Sequence, residues 1–225
     1  MLQYIDILKD TQLFTGVNKE EITAMLQCLQ AQKLICPKGT PVFREGEYIS
    51  RLAITVEGKL FVQQNDFWGN RTILNVLGPG EMFGEAYATP DSGPLQFEVI
   101  AEEDCVIILF DIQRILTVCS SACRFHTMIV QNLFFAISNK NRLLVQKIGH
   151  LSKRSTRAKL LSYLSSESKR QRSSRLTIPF TRQQLADYLC VDRSAMSNEL
   201  CKMRDEGMLT FHRNKFTLHH KEYLS

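Results

Sequence analysis

The sequence has no apolar run near the roughly 20 residues that a membrane helix requires. Its longest aliphatic stretch, Val106–Phe110, is of strand length. Its start, Met1-Leu-Gln-Tyr-Ile-Asp, lacks the basic segment and apolar core of a signal peptide, so a cytoplasmic chain with no membrane attachment is expected. The seven cysteines form no Cys-x2-Cys pair. In a reducing cytosol such a set reads mostly as buried thiols rather than disulfides. No nucleophile–base pattern and no Gly-rich catalytic loop stands out, so the chain does not read as an enzyme.

What is present is a charge imbalance. The 225 residues hold 28 Lys+Arg and 23 Asp+Glu, a net of +5. Residues 1–146 hold 12 basic and 16 acidic residues, whereas 147–225 hold 16 and 7. An acidic front of net −4 and a basic back of net +9 suggest two parts with different partners, the second a candidate for nucleic acid. A hydrophobic fraction of 44% with 23% charged residues is ordinary for a globular protein and excludes a disordered or fibrous chain.

The texture changes along the chain. Asn18 followed by Glu21 signals a capping box, and Ile22, Met25, Leu26 and Leu29 give a short helix its apolar face. From 33 to 110, short β-rich runs alternate with glycines, as in a small antiparallel sandwich or barrel. The expected strands are Lys33–Cys36, Pro41–Arg44, Arg51–Glu57, Lys59–Gln63, Arg71–Leu77, Leu95–Ala101 and Cys105–Leu109. From Asp111 the pattern turns helical. Val130, Leu133, Ile137, Leu144 and Leu151 make a long stripe, interrupted by Lys140 and Lys147, that suits dimerisation. Residues 147–175 hold nine basic residues and one acid, with a helix at Thr156–Ser165 and a Ser-rich loop at 165–174.

Residues 181–206 carry the clearest function. Thr181 caps one short helix with Gln184 completing a capping box, and Leu185, Ala186 and Leu189 face inward. Cys190-Val191 make a tight turn. Asp192 caps a second helix anchored by Met196, Leu200 and Met203. This is a helix-turn-helix, whose second helix enters the DNA major groove. Arg193, Ser194, Ser197 and Asn198 are expected at the base edges, where Arg suits guanine and Asn suits adenine. Leu209–His219 reads as a two-stranded wing. Thr181, Arg182, His212, Arg213 and Lys215 are expected to hold phosphates. A solvated helical hairpin in another kind of domain is the bland alternative.

The order of these parts resembles the CRP/FNR superfamily of bacterial transcription regulators. The likeness rests on Gly78-Pro-Gly-Glu-Met-Phe-Gly-Glu85, Val99–Ala101, Lys147-Ile-Gly-His-Leu151 and Thr181–Leu209. It implies an α+β chain: an N-terminal antiparallel β-roll sensor of the cyclic-nucleotide-binding type over 1–118, a long dimerisation helix and hinge over 119–152, and a C-terminal winged helix-turn-helix over 153–225. It also implies a homodimer on double-stranded DNA with a palindromic operator, and contact with RNA polymerase. A second reading is a β-roll module that binds a ligand and regulates a protein partner, as in kinases and channels.

In cyclic-nucleotide-binding relatives, the Phe-Gly-Glu turn presents a glycine backbone and a glutamate to the ribose, and an arginine neutralises the phosphate. Gly84 and Glu85 match; the arginine position holds Leu95 and the next holds Gln96. The positions that contact adenine on the long helix hold Leu144 and Val145. A phosphate buried without a cation is costly, so cyclic AMP is not the expected effector. Tyr87, Leu95, Phe97, Leu144 and Val145 would make the site apolar, suiting haem or an apolar small molecule, unless they simply fill the core. An iron–sulfur cluster is not expected, because no cysteine precedes Cys28. Cys119, Cys123 and His126 share one helical face and are weak candidates for a metal; buried thiols are the plainer reading.

Overall fold

A computed structural model describes residues 1–89, 91–117 and 124–219. Cys119 and Cys123 therefore lie outside the described residues. The chain divides into two units, Met1–Asn141 and Arg142–Ser225.

The first unit opens with a 3-10 turn, Leu2–Tyr4, then α1 (Ile5–Lys9) and α2 (Lys19–Cys28). Asn18 Oδ1 accepts from the Glu21 N–H at 2.8 Å, and the Glu21 carboxylate accepts from the Asn18 N–H at 2.9 Å. This is the expected capping box. It fixes the start of α2 so that Ile22, Met25, Leu26 and Leu29 are buried.

Eight strands follow: β1 (Gln32–Cys36), β2 (Pro41–Phe43), β3 (Arg51–Glu57), β4 (Leu60–Asn65), β5 (Arg71–Leu77), β6 (Met82–Phe83), β7 (Glu98–Ala101) and β8 (Cys105–Asp111). They form two four-stranded sheets, ordered β1-β8-β3-β6 and β2-β7-β4-β5, with antiparallel pairing. Strand alternation makes the first sheet two-faced. Ala53, Cys105 and Ile107 point toward Leu60, Leu77, Val99 and Ala101 of the second sheet. Leu52, Ile54, Ile108 and Phe110 point the other way, onto α1, α2 and the helix that follows the barrel. Gly58 turns β3 into β4 with φ +81°, and a Cβ there would stand 2.4 Å from the Asp104 carbonyl oxygen. Only glycine fits.

Two differences from the sequence reading appear here. The strand expected to begin at Leu95 begins at Glu98, because the Leu95 backbone pairs with the 46–47 turn instead. Its N–H donates to Glu47 O at 2.9 Å, and its carbonyl accepts from Gly46 N at 2.8 Å. The two-residue β6 was too short to show a periodicity.

Asp111 caps α3 (Ile112–Leu116), accepting from Gln113 N at 2.9 Å. The long helix α4 runs from Arg124 to Leu151. Its apolar residues fall on two lines rather than one. Ile129, Leu133 and Ala136 are buried against the barrel's helical face. Val130, Phe134, Ile137, Leu144 and Ile148 are 38–67% exposed. The expected stripe thus loses Leu133 to the chain's own core, and the exposed line passes through Phe134 and Ile148 instead.

The second unit holds α5 (Thr156–Gln171), β9 (Arg175–Thr177), α6 (Arg182–Leu189), α7 (Arg193–Asp205), β10 (Leu209–His212) and β11 (Lys215–Leu218). Its three-stranded sheet is ordered β10-β11-β9, so the wing gains a third strand. Helix α5 extends into the expected Ser-rich loop as far as Gln171. Glu167 accepts from Arg170 and Gln171 in its last turn, and Arg172, with φ +49°, ends it. Leu160, Leu164, Leu185, Leu189, Met196, Leu200 and Met203 form the interior.

Candidate nucleic-acid interface and effector turn

Local hydrogen bonds set the two helices of the helix-turn-helix. Thr181 Oγ1 accepts from Gln184 N at 3.4 Å, and Gln184 Oε1 accepts from Thr181 N at 2.8 Å. Cys190 leaves α6 in the left-handed region, φ +51°. Asp192 Oδ1 then accepts from Ala195 N at 2.7 Å and starts α7. With Met196, Leu200 and Met203 fully buried, helical spacing turns Arg193, Ser194 and Asn198 to the outside, with Ser197 half-buried beside them. This is an exposed polar run of donors and acceptors at a helix N-terminus, where an anion is also favoured. Thr181, His212, Arg213 and Lys215 are exposed as well, the last three at the wing tip.

Several basic residues of this unit are used internally. Arg157 of α5 forks onto Glu206 and reaches Glu199 at 3.2 Å, tying the middle and the C-terminal end of α7 to α5. These carboxylates hold its guanidinium above its ordinary pKa. Lys159 donates to Leu189 O at 3.1 Å and Cys190 O at 3.2 Å, closing the C-terminal end of α6. Arg182 is half-buried, its guanidinium 4.6 Å from the Phe211 ring and 4.8 Å from the Phe216 ring. Burial lowers its pKa. It ties α6 to the wing by stacking. Lys147 is buried with its ammonium 3.9 Å from the centre of the Tyr188 ring, and desolvation lowers its pKa to about 8. His150, also buried, shares a 2.8 Å hydrogen bond with Ser162 Oγ and meets the Tyr163 ring edge-on; burial lowers its pKa too. Arg157 and Lys159 gave no sign in the sequence beyond their charge.

The Phe-Gly-Glu turn lies in the first unit. Gly84 has φ +85°, and a Cβ there would meet Ile49, Phe43 and the Arg51 carbonyl at 3.1–3.3 Å, so the position needs glycine for both conformation and space. Glu85 is 9% exposed. Its Oε1 accepts from Lys140 Nζ of α4 at 2.7 Å, and the same ammonium donates to Met82 O. The turn's carboxylate already has a cation, supplied by the chain itself. Sequence reading missed this pair, although Lys140 interrupting an apolar stripe was its trace. Glu85 Oε2 is buried with no hydrogen-bond partner.

Leu95 is 1% exposed and packed with Val99 and Phe43, and Tyr87 and Phe97 pack against the same core. The Tyr87 and Phe97 rings meet edge-on at 5.2 Å. Gln96 is exposed. Leu144 and Val145, in the second unit, are 56% and 61% exposed on α4. The plain reading of Tyr87, Leu95 and Phe97 as core residues accounts for their placement. His126 is buried, with Cys28 beside it at 3.6 Å. Among the described residues no three His, Cys, Asp or Glu side chains gather as a metal site. Nor, among them, is any helix long and apolar enough to cross a membrane.

Comparison with known proteins gives the same two parts. A cyclic nucleotide-binding domain model matches residues 34–122, and a Crp-like helix-turn-helix domain model matches residues 158–225. A CRP-like cAMP-activated global transcriptional regulator of Mycobacterium tuberculosis is 36% identical over 89 residues, which is 40% of this chain and 38% of that protein. The match thus spans well under half the length of that curated relative. A probable transcriptional regulator, flp, of Lacticaseibacillus casei is 26% identical over 199 residues, covering 88% of this chain and 86% of that one. The solved structure of a CooA variant from Carboxydothermus hydrogenoformans shares the fold, with a TM-score of 0.73 at 18% identity over 94% of this chain and 93% of that one.

Proposed function

The chain belongs to the CRP/FNR superfamily, and from that premise we propose that it is a sequence-specific DNA-binding transcription regulator acting as a homodimer. Residues 1–118 sense, 119–152 dimerise and 153–225 read DNA. The observation that carries this reading is the capped start of α7, which leaves Arg193, Ser194 and Asn198 exposed on a helix held from behind by Arg157.

Arg193 and Asn198 read bases, with Ser194 and Ser197 beside them. Thr181, His212, Arg213 and Lys215 hold phosphates. Arg182 belongs to this group in sequence, but its stacking makes it first a tie between α6 and the wing. The second copy covers the exposed line Val130, Phe134, Ile137, Leu144 and Ile148 of α4. Two recognition helices related by a twofold axis then fit half-sites one DNA turn apart, and the operator is palindromic. RNA polymerase is the downstream partner.

The effector is a molecule other than cyclic AMP. Two features support this: Leu95 stands in the core where relatives place a cation, and Glu85 is engaged by Lys140. An effector that breaks or tightens the Glu85–Lys140 pair would act directly on α4.

Selection of bound duplexes from a random DNA pool tests the proposal. The expected result is enrichment of a twofold-symmetric motif, with binding that weakens steeply as salt rises. A pool that stays random at every round would overturn it.

A further inference from the structure

The described cysteines differ sharply in setting. Cys36 and Cys105 are buried, and desolvation pushes both thiols above their ordinary pKa. Cys201 is half-buried. Cys190 is exposed, but the partner of its Sγ is the Asp187 carbonyl oxygen at 3.9 Å and not a base. Cys28 alone among them is exposed and also faces an imidazole. Its Sγ lies 3.6 Å from Nε2 of His126, a side chain only 3% exposed.

The two residues are 98 positions apart, brought together by the packing of α2 and α4 on one core. A buried imidazole thus stands beside the thiol of an exposed residue. Cys28 is the last residue of α2, and a helix C-terminus does not favour an anion. The imidazole, once it holds the proton, gives a thiolate there a cationic neighbour.

We infer that Cys28 and His126 form a reactive thiol site for small oxidants of the peroxide class. His126 Nε2 takes the proton of Cys28, giving a thiolate beside an imidazolium. The thiolate sulfur attacks one peroxide oxygen. An S–O bond forms, the O–O bond breaks, and the leaving hydroxide takes the proton back from His126 as water. Cysteine is oxidised to sulfenic acid and hydrogen peroxide is reduced to water. The product sits at the junction of α2 and α4.

The intact chain, treated at neutral pH with hydrogen peroxide and dimedone, tests this by peptide mass spectrometry. Cys28 should be captured, as the adduct or as a disulfide drawn from it, about tenfold faster than Cys190 in the same molecules, because an ordinary thiol is only a few per cent thiolate at this pH. Equal rates at the two cysteines would overturn the assignment, and this comparison needs no variant. His126→Gln should bring Cys28 down to the rate of Cys190 while leaving Cys190 unchanged. A Cys28 rate that survives the substitution would show that the imidazole plays no part.

Discussion

The start of α7 and the turn at Gly84-Glu85 are both short polar runs at the edge of an element, and the fold disposes of them in opposite ways. At α7 the cap residue Asp192 bonds inward to Ala195 N, and the polar side chains after it stand outside. At the turn, Glu85 is buried and joined to Lys140 across 55 residues of sequence. The first arrangement leaves hydrogen-bonding groups for an external partner. The second gives one of its two carboxylate oxygens to the chain's own long helix. The start of α7 is therefore open to an external partner, while the turn at Gly84-Glu85 is coupled to α4 by the chain itself.

The sharpest way to break this comparison is to attack α4 on each of its two sides. Leu144→Glu puts a charge on the exposed line. If a second copy covers that line, the loss counts once per copy, about 3–6 kcal/mol for two leucines. Sedimentation should then show a single chain, and an unaltered profile would detach the exposed line from dimerisation. Lys140→Met acts on the inner side. It strands the buried Glu85 charge and should cost about 3 kcal/mol in denaturant unfolding. Lys140→Met combined with Glu85→Gln should recover most of that loss. A single variant as stable as the parent would mean that the pair does not hold the turn.

The same contrast governs what could be read in advance. Caps, the left-handed exit at Cys190 and the inward Met196, Leu200 and Met203 are relations within four residues. Side-chain chemistry at that range survives in any context. The strands from β3 to β5 were legible for a similar reason. The pairs that position the site are not local: Glu85 with Lys140, and Arg157 with Glu206 across 49 residues. They exist only once two elements are packed. A charge count cannot show such pairing: Lys147, Arg157 and Lys159 belong to the basic half, yet their nitrogens meet a tyrosine ring, two carboxylates and two carbonyls. Leu95 offers no cation, and its burial in the core accompanies backbone bonds to the 46–47 turn that the sequence does not reveal.

The open side of the comparison is sharpened by Arg193→Ala. Loss of a guanine-type contact should cost about 1–3 kcal/mol of specific binding and relax one operator position, with non-specific binding nearly intact. Competition assays with single-base operator variants measure this. Discrimination that is unchanged at every position would remove Arg193 from base reading.

A smaller effect concerns the second unit's interior. Lys147 has a folded pKa of about 8 against 10.5 for an ordinary lysine. Between these values the unfolded chain holds a proton that the folded chain has released, so folding becomes more favourable as pH rises from 8. Tyr188 works the other way. Burial raises its pKa to about 12, so above pH 10 the unfolded chain loses a proton that the folded chain keeps, and stability falls. Hydrogen exchange of α5 and α6 amides should therefore show protection climbing from pH 8 to about 10 once the intrinsic base dependence is removed. Lys147→Met should flatten that climb; a profile that is already flat would mean that the ammonium is solvated.

The smallest expected signal belongs to the closed side. A cyclic phosphate entering beside Gly84 would face Leu95, 1% exposed within an apolar core, in place of a cation. Its ribose hydroxyl would compete with the Lys140 ammonium for Glu85. Displacing that ammonium leaves one charge without its partner, and burying the phosphate adds another. Titration calorimetry with cyclic AMP should therefore give no heat above dilution. Micromolar binding would require the Glu85–Lys140 pair to open and a cation to arrive from elsewhere, and the two polar runs would then differ only in what they bind.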